Sequence, residues 1–268
     1  MILRDGSTLR LRVAEPDDTD ALVSFFRGLS QESRYLRFQG AGTVEVRTVQ
    51  PFARGDWPDS CSLLAERAPG AGETEVVALA TFVRLRDPHG AEVAFAVADS
   101  LQGRGIGTRL LERLAAHAAA AGIEEFVAQV LPENVQMLRV FHDAGFAERR
   151  RLEGGVVEVS FDIAPTAEYR EHVDERDHVA VVASLQPFFT PSRVAVIGAS
   201  ARRGTIGGEL FRNILGADFA GAAYPVNMKG EAVGGVPAYT AVEDVPGDID
   251  LAVICVPASA VLAHVKAK

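Results

Sequence analysis

The sequence predicts an α/β fold in two parts, and three observations predict it. Residues 1–163 alternate between strand-like and helix-like patterning. Pro165–Asp177 (PTAEYREHVDERD) is charged and poor in apolar residues, as a boundary would be. Val194–Ile197 is then a short continuous apolar run followed by glycines at 198, 204, 207 and 208, the pattern of a buried parallel strand turning into a helix. The expected bounds are 1–164 for the first domain, 165–182 for a linker and 183–268 for the second domain.

Ser7–Val13 alternates as a strand. Asp17 and Asp18 signal a helix start before Ala21, Leu22, Phe25 and Phe26. Ser30–Phe38 reads as a second helix, and Thr43–Ala53 as a third, weakened by its valines. Ser60–Glu66 and Glu75–Arg86 are strands, with Pro69, Gly70 and Gly72 as turn residues between them. Ala91–Val97 is the next strand. A helix follows with Ile106, Leu110, Leu114 and Ala118 on one face, closed by Gly122. Glu125–Leu131 is a strand, and Asn134–Ala144 a helix closed by Gly145. Phe146–Leu152 and Val156–Ile163 form a hairpin across Glu153, Gly154 and Gly155.

Gln102–Thr108 (QGRGIGT) lies between a strand and a helix start. The first helical turn has backbone N–H groups without internal partners and a positive dipole end. Glycines at 103, 105 and 107 remove the β-carbons that would hold a ligand off those amides. The product is a cradle for a phosphate or diphosphate. The plainer alternative is a glycine-punctuated helix start that binds nothing.

QGRGIG matches the Q/R-x-x-G-x-G/A signature of the GNAT (Gcn5-related) N-acetyltransferases, and the order of segments through residue 163 is similar to theirs. The resemblance implies an α+β domain around a central mixed sheet, with acetyl-CoA as cosubstrate. Its diphosphate would be held by Gln102, Gly103, Arg104, Gly105, Ile106, Gly107 and Thr108. The stretch NVQMLRVFHDAGF resembles the helix in which that family places a coenzyme-contacting asparagine, here Asn134. A helix N-cap after Pro132 is the alternative role for Asn134, and both can hold. Phe141 departs from the family, many of whose members have a tyrosine there to protonate the leaving thiolate; phenylalanine has no proton to give. His142 is its neighbour, but adjacent helical positions point apart.

Acyl transfer to an amine needs the amine neutral, so a carboxylate must take its proton. Glu92, on the strand leading to the glycine turn, is the candidate base; a solvent-facing strand glutamate is the alternative. The strand AEVAFAV with this loop resembles the bacterial protein lysine acetyltransferases of the Pat class, in which the glutamate at this place is the base. Backbone N–H groups around Phe95 to Val97 would hold the oxyanion.

The second domain departs from the dinucleotide fingerprint in glycine spacing, and its strand Ala222–Val226 ends in Asn227 with no acid for a ribose, which argues against NAD. Four words, LQPFFTPSRVAVIGAS, IGG, YPVN and DLAVICVP, resemble the CoA-binding domain of NDP-forming acyl-CoA synthetases; Met228 replaces a common proline. The resemblance implies a second CoA or acyl-CoA site at Gly198, Ser200, Gly207 and Asn227. About four parallel strands are expected, in a truncated domain from a longer protein without synthetase activity of its own.

A net charge of −9 argues against broad nucleic-acid or anionic-membrane binding. Cys61 and Cys255 read as buried reduced thiols, with no metal site. A signal peptide and a membrane-spanning run are both lacking, so a cytoplasmic protein is expected. The lysines are Lys229, Lys266 and Lys268. The expected function is acetyl-CoA-dependent transfer to a protein lysine, with an AMP-forming acyl-CoA synthetase as the implied target and a CoA-binding domain that tunes activity. The alternatives are a GNAT enzyme acting on a small amine and a non-enzymatic CoA-binding regulator.

Overall fold

The computed structural model describes residues 1–40, 44–70 and 73–265. The predicted helix start at Thr43, the turn at Gly72, and Lys266 and Lys268 lie outside these residues. The chain divides into two compact units, with the divide after Val181.

The first unit holds a seven-stranded sheet of order β1-β2-β3-β4-β5-β7-β6. The strands are β1 Arg10–Val13, β2 Ser60–Gly70, β3 Glu73–Arg84, β4 Gly90–Val97, β5 Glu125–Val130, β6 Glu148–Glu153 and β7 Val156–Asp162. The sheet is mixed: β4 and β5 run parallel, whereas β1–β2, β3–β4, β5–β7 and β6–β7 are antiparallel. A parallel pair needs a crossover, and α4 (Ile106–Ala120) supplies it. The hairpin turns on Gly154 and Gly155, both at positive φ.

Each face of this sheet buries its own cluster. On one, α4 and α5 (Val135–Ala144) pack Ile106, Leu110, Leu114 and Phe141 against Val93 and Phe126. On the other, α1 (Thr19–Gly28) and α3 (Val46–Ala53) pack Leu22, Phe26 and Val49 against Leu79 and Ala96. Period-2 alternation along β4 therefore sends Val93 to the α4 face and Ala96 to the α1 face. The short helix α2 (Gln31–Phe38), capped by Ser30, adds Phe38 to the second cluster. Burial pushes the Cys61 thiol up to about 11, so it is an inert core residue.

A short helix was expected in the linker, and Ala167–Phe189 is one helix of 23 residues, α6. Its residues through Val181 belong to the first unit. Arg176 binds Glu112 at 2.6 Å and donates to the carbonyls of Asp143 and Ala144 at the end of α5. Tyr169 stacks on Phe146 with centroids 4.5 Å apart. Polar pairing and the Tyr169 ring, rather than a continuous apolar stripe, fix this segment.

The second unit has a parallel three-stranded sheet of order β10-β8-β9, from β8 Arg193–Ile197, β9 Ala222–Val226 and β10 Leu251–Ile254. About four strands were expected, and three occur among the described residues. Helix α7 (Ile206–Gly216) packs Phe211 on this sheet, and α8 (Ala258–Val265) follows β10.

Candidate active site

The glycine turn leads into α4 as the pattern predicts. Gly105 is the N-cap of α4, and no side chain caps that terminus. The amides of Gly105, Ile106, Gly107 and Thr108 are thus the four that a helix leaves without internal partners. Gly103 and Gly105 have φ of +75° and +81°, and nothing lies within 4 Å of where a β-carbon would be. Open space over left-handed glycines is what an approaching anion needs. Gly107 has a different reason for being glycine. Its φ is helical, and a β-carbon there would meet Val140 Cγ2 at 3.2 Å, so it permits the close packing of α4 on α5.

The other predicted loop residues divide by atom. Ile106 and Thr108 bury their side chains, leaving backbone to face a ligand. Arg104 reaches Asp5 at 3.1 Å. The Gln102 amide donates to Ser33 Oγ and to the Val97 carbonyl, each at 3.2 Å. It therefore ties the loop to α2 and β4. Asp99 completes this tie by accepting from Ser30 and Ser33.

The loop opens into a cavity of about 840 Å³ lined by β4 from Val93 to Val97, β5 from Ala128 to Val130, α2 and the start of α5. It exists because β4 and β5 part. Their parallel register ends at Glu92↔Val127, although each strand continues. The Leu85 N–H bonds to Gly90 O and the Ala98 N–H to Val77 O, so the even residues of β4 point their backbone groups at β3. The odd residues, Phe95 and Val97 among them, then point theirs into the opening. Glu92 stands at the last registered pair, exposed, at the rim where the strands diverge.

Asn134 caps α5 by accepting from the Met137 N–H at 3.1 Å, and it also lines the cavity; its amide NH2 is the group left for a ligand. Phe141 is 1% exposed and packs on Phe95 and Phe161. The His142 side chain is exposed beside Glu148, turned out from that core.

Sequence reasoning missed Arg37. It lines the cavity from α2, and its guanidinium lies 5.4 Å and 5.0 Å from the Phe38 and Phe52 ring centroids. Burial pulls it down to about 10, while the carboxylate of Glu92 pulls the other way. A cation two places from the end of an amphipathic helix reads as a surface residue; its only sequence signal is an arginine set between Leu36 and Phe38.

In the second unit, Gly198 has φ +89° and a β-carbon there would come within 2.4 Å of Cys255 O. A β-carbon on Gly207 would come within 2.4 Å of Gly198 O, so Gly207 allows α7 to pack on the turn. Ser200 Oγ accepts from the Arg202 N–H. Asn227 accepts from Lys229 and Glu231 and donates to the Glu231 carbonyl, which orders its own loop. Among the described residues no His, Cys, Asp and Glu group could hold a metal ion.

The comparisons agree with this geometry. Residues 32–146 match the acetyltransferase (GNAT) family and residues 192–267 the CoA binding domain. The crystal structure of the GNAT domain of S. lividans PAT superposes with a TM-score of 0.56 at 39% identity, covering 60% of this chain and 94% of that one. The first unit belongs to the GNAT acetyltransferase family. Acetyltransferase Pat of Mycolicibacterium smegmatis is 33% identical over 167 residues, 61% of this chain and 48% of its own length. The α subunit of ADP-forming acetate–CoA ligase II of Pyrococcus furiosus is 47% identical over 73 residues, 27% of this chain and 16% of its own. The chain thus spans about half of the first relative and a sixth of the second. No helix among the described residues is long and apolar enough to cross a membrane.

Proposed function

We propose that this chain transfers the acetyl group of acetyl-CoA to the side-chain amine of a protein lysine. The parting of β4 and β5 immediately beyond Glu92 carries the reading. It supplies a cavity with the glycine turn at one end and the main-chain N–H groups of Phe95 and Val97 along it, and it leaves Glu92 at the last registered pair where the strands diverge.

Acetyl-CoA sets its diphosphate on the amides of residues 103–108. Its pantetheine arm runs along the β4 edge. Glu92, directly or through water, first takes a proton from the lysine ammonium; the neutral nitrogen then attacks the thioester carbon, and the second N–H proton passes to water. A main-chain N–H at Phe95 or Val97 stabilises the oxyanion. The C–S bond then breaks. With Phe141 in the core and His142 facing away, the thiolate leaves unassisted and takes its proton from water. A thiol pKa of about 8.5 makes that departure easy.

The likeness to Pat favours a protein acceptor, and an AMP-forming acyl-CoA synthetase is the target we propose. The second unit binds CoA or an acyl-CoA and adjusts the rate. The test is an acetyl-CoA-dependent assay on a purified AMP-forming acyl-CoA synthetase. The parent chain should acetylate one lysine, and Glu92→Gln should lose about 10²- to 10⁴-fold in kcat with acetyl-CoA affinity retained. Equal rates in the two would remove Glu92 from the chemistry; labelling of small amines alone would remove the protein acceptor.

A further inference from the structure

Arg37 carries a buried donor that no group among the described residues pairs. Its Nε is fully buried and has no hydrogen-bond partner among the described residues. A buried donor left unpaired is costly, more so in a cation. The guanidinium carbon lies over the Phe38 and Phe52 rings, 5.4 Å and 5.0 Å from their centroids. A guanidinium offers a planar fork of N–H donors, and Arg37 lines the cavity.

The side of the sheet decides what the fork receives. The glycine turn and α4 pack on the Val93 face of β4. Arg37 lies with Phe38 and Phe52, which pack on the opposite cluster with Ala96. Glu92 is in phase with Ala96 along β4, so Arg37 and Glu92 share a face. The coenzyme's diphosphate goes to the turn. An acceptor amine must come to Glu92, and whatever anion meets Arg37 arrives with that acceptor.

We propose that Arg37 is an acceptor-binding residue that pairs with a carboxylate on the substrate, so that the protein prefers lysines with an aspartate or glutamate close by. The proposal rests on the lysine-acetyltransferase reading and narrows its substrate class. It runs against the overall charge: a chain of net −9 would by itself favour basic surroundings. A preference for an acid near the lysine is therefore diagnostic.

The experiment uses the full chain, acetyl-CoA and two acceptor panels. One is a lysine peptide with glutamate walked from three residues before to three after the lysine, against glutamine at the same places. The other is a set of amino acids against the matching amines without the carboxylate. Arg37→Gln and Arg37→Lys are run beside the parent. The parent should favour glutamate at one or two positions by roughly 10- to 100-fold in kcat/KM, mostly through KM. Arg37→Gln should erase that preference, and Arg37→Lys should keep only part of it, having charge without the fork. Acetyl-CoA affinity, measured by calorimetry, should stay unchanged in both variants.

No preference in either panel with the parent chain overturns the proposal, whatever the variants do. So does a preference that survives in Arg37→Gln. A variant that loses kcat equally on all acceptors would assign the fork to Glu92, and one that loses acetyl-CoA affinity would assign it to the coenzyme; each also overturns it. If only the small amines turn over and they show the Arg37-dependent preference, the carboxylate site stands and the protein-lysine reading falls. No turnover in either panel sinks both.

Discussion

Replacing Gly105 by alanine separates coenzyme binding from folding. At φ +81° an L-residue is strained by roughly 1–2 kcal/mol. Nothing lies within 4 Å of the added methyl, so no clash adds to the strain. For a unit of this size the melting temperature should fall by roughly 2–8 °C. The methyl, however, would enter the open space at the turn, where the proposed function seats the diphosphate. Loss of about one charge-assisted hydrogen bond should weaken acetyl-CoA by roughly 10- to 100-fold. Gly107→Ala should behave in the opposite way. Its methyl meets Val140 at 3.2 Å, inside the α4–α5 contact, so stability should fall while affinity for acetyl-CoA stays close to that of the parent. Differential scanning fluorimetry with and without acetyl-CoA, plus calorimetric titration, gives both quantities. If Gly105→Ala binds acetyl-CoA as the parent does, the turn is not the diphosphate site.

Arg176→Met removes one of the two arginines on buried Glu112 and leaves Arg109 at 2.9 Å; thermal and urea melts should show a loss approaching about 3 kcal/mol. For the same reason a chain ending at Thr166 should melt well below one ending at Phe189, since the former lacks Arg176 and Tyr169. Hydrogen bonds from Arg12 hold the Asp18 carboxyl below its ordinary range. That stability is present above the unfolded carboxylate value of about 4 and is lost as pH falls through the folded value, so Arg12→Met should flatten the acid side of a stability–pH curve. Lysine self-acetylation should map by mass spectrometry only to Lys229, Lys266 or Lys268, and a product on any other residue type would not be a lysine acetylation at all.

Much of this site could be read from the residues. The order of elements, the glycine turn, the Asn134 helix start and the Gly154–Gly155 hairpin all rest on local chemistry: positive φ, caps and periodicity. What escaped the sequence was fixed from elsewhere in the chain. Residues 167–181 carry no clean apolar stripe because their anchors are Arg176 and Asp177 on Glu112 and Arg109, partners more than sixty positions away. Spacing alone did not show that Gly107 and Gly207 also permit close packing, Gly107 against Val140 and Gly207 against the Gly198 carbonyl. The Asn227 side chain is occupied by its own loop. Arg37 stayed hidden because only the folded arrangement of Phe38, Phe52 and Glu92 makes its charge unusual.

A crystal structure of the full chain with bound acetyl-CoA tests the central claim most directly. The diphosphate should lie about 3 Å from main-chain nitrogens between Gly103 and Thr108, with the thioester carbonyl at the Phe95–Val97 edge of β4 and facing the end of the strand that bears Glu92. A coenzyme seated elsewhere in the first unit, with that turn empty, would contradict the account.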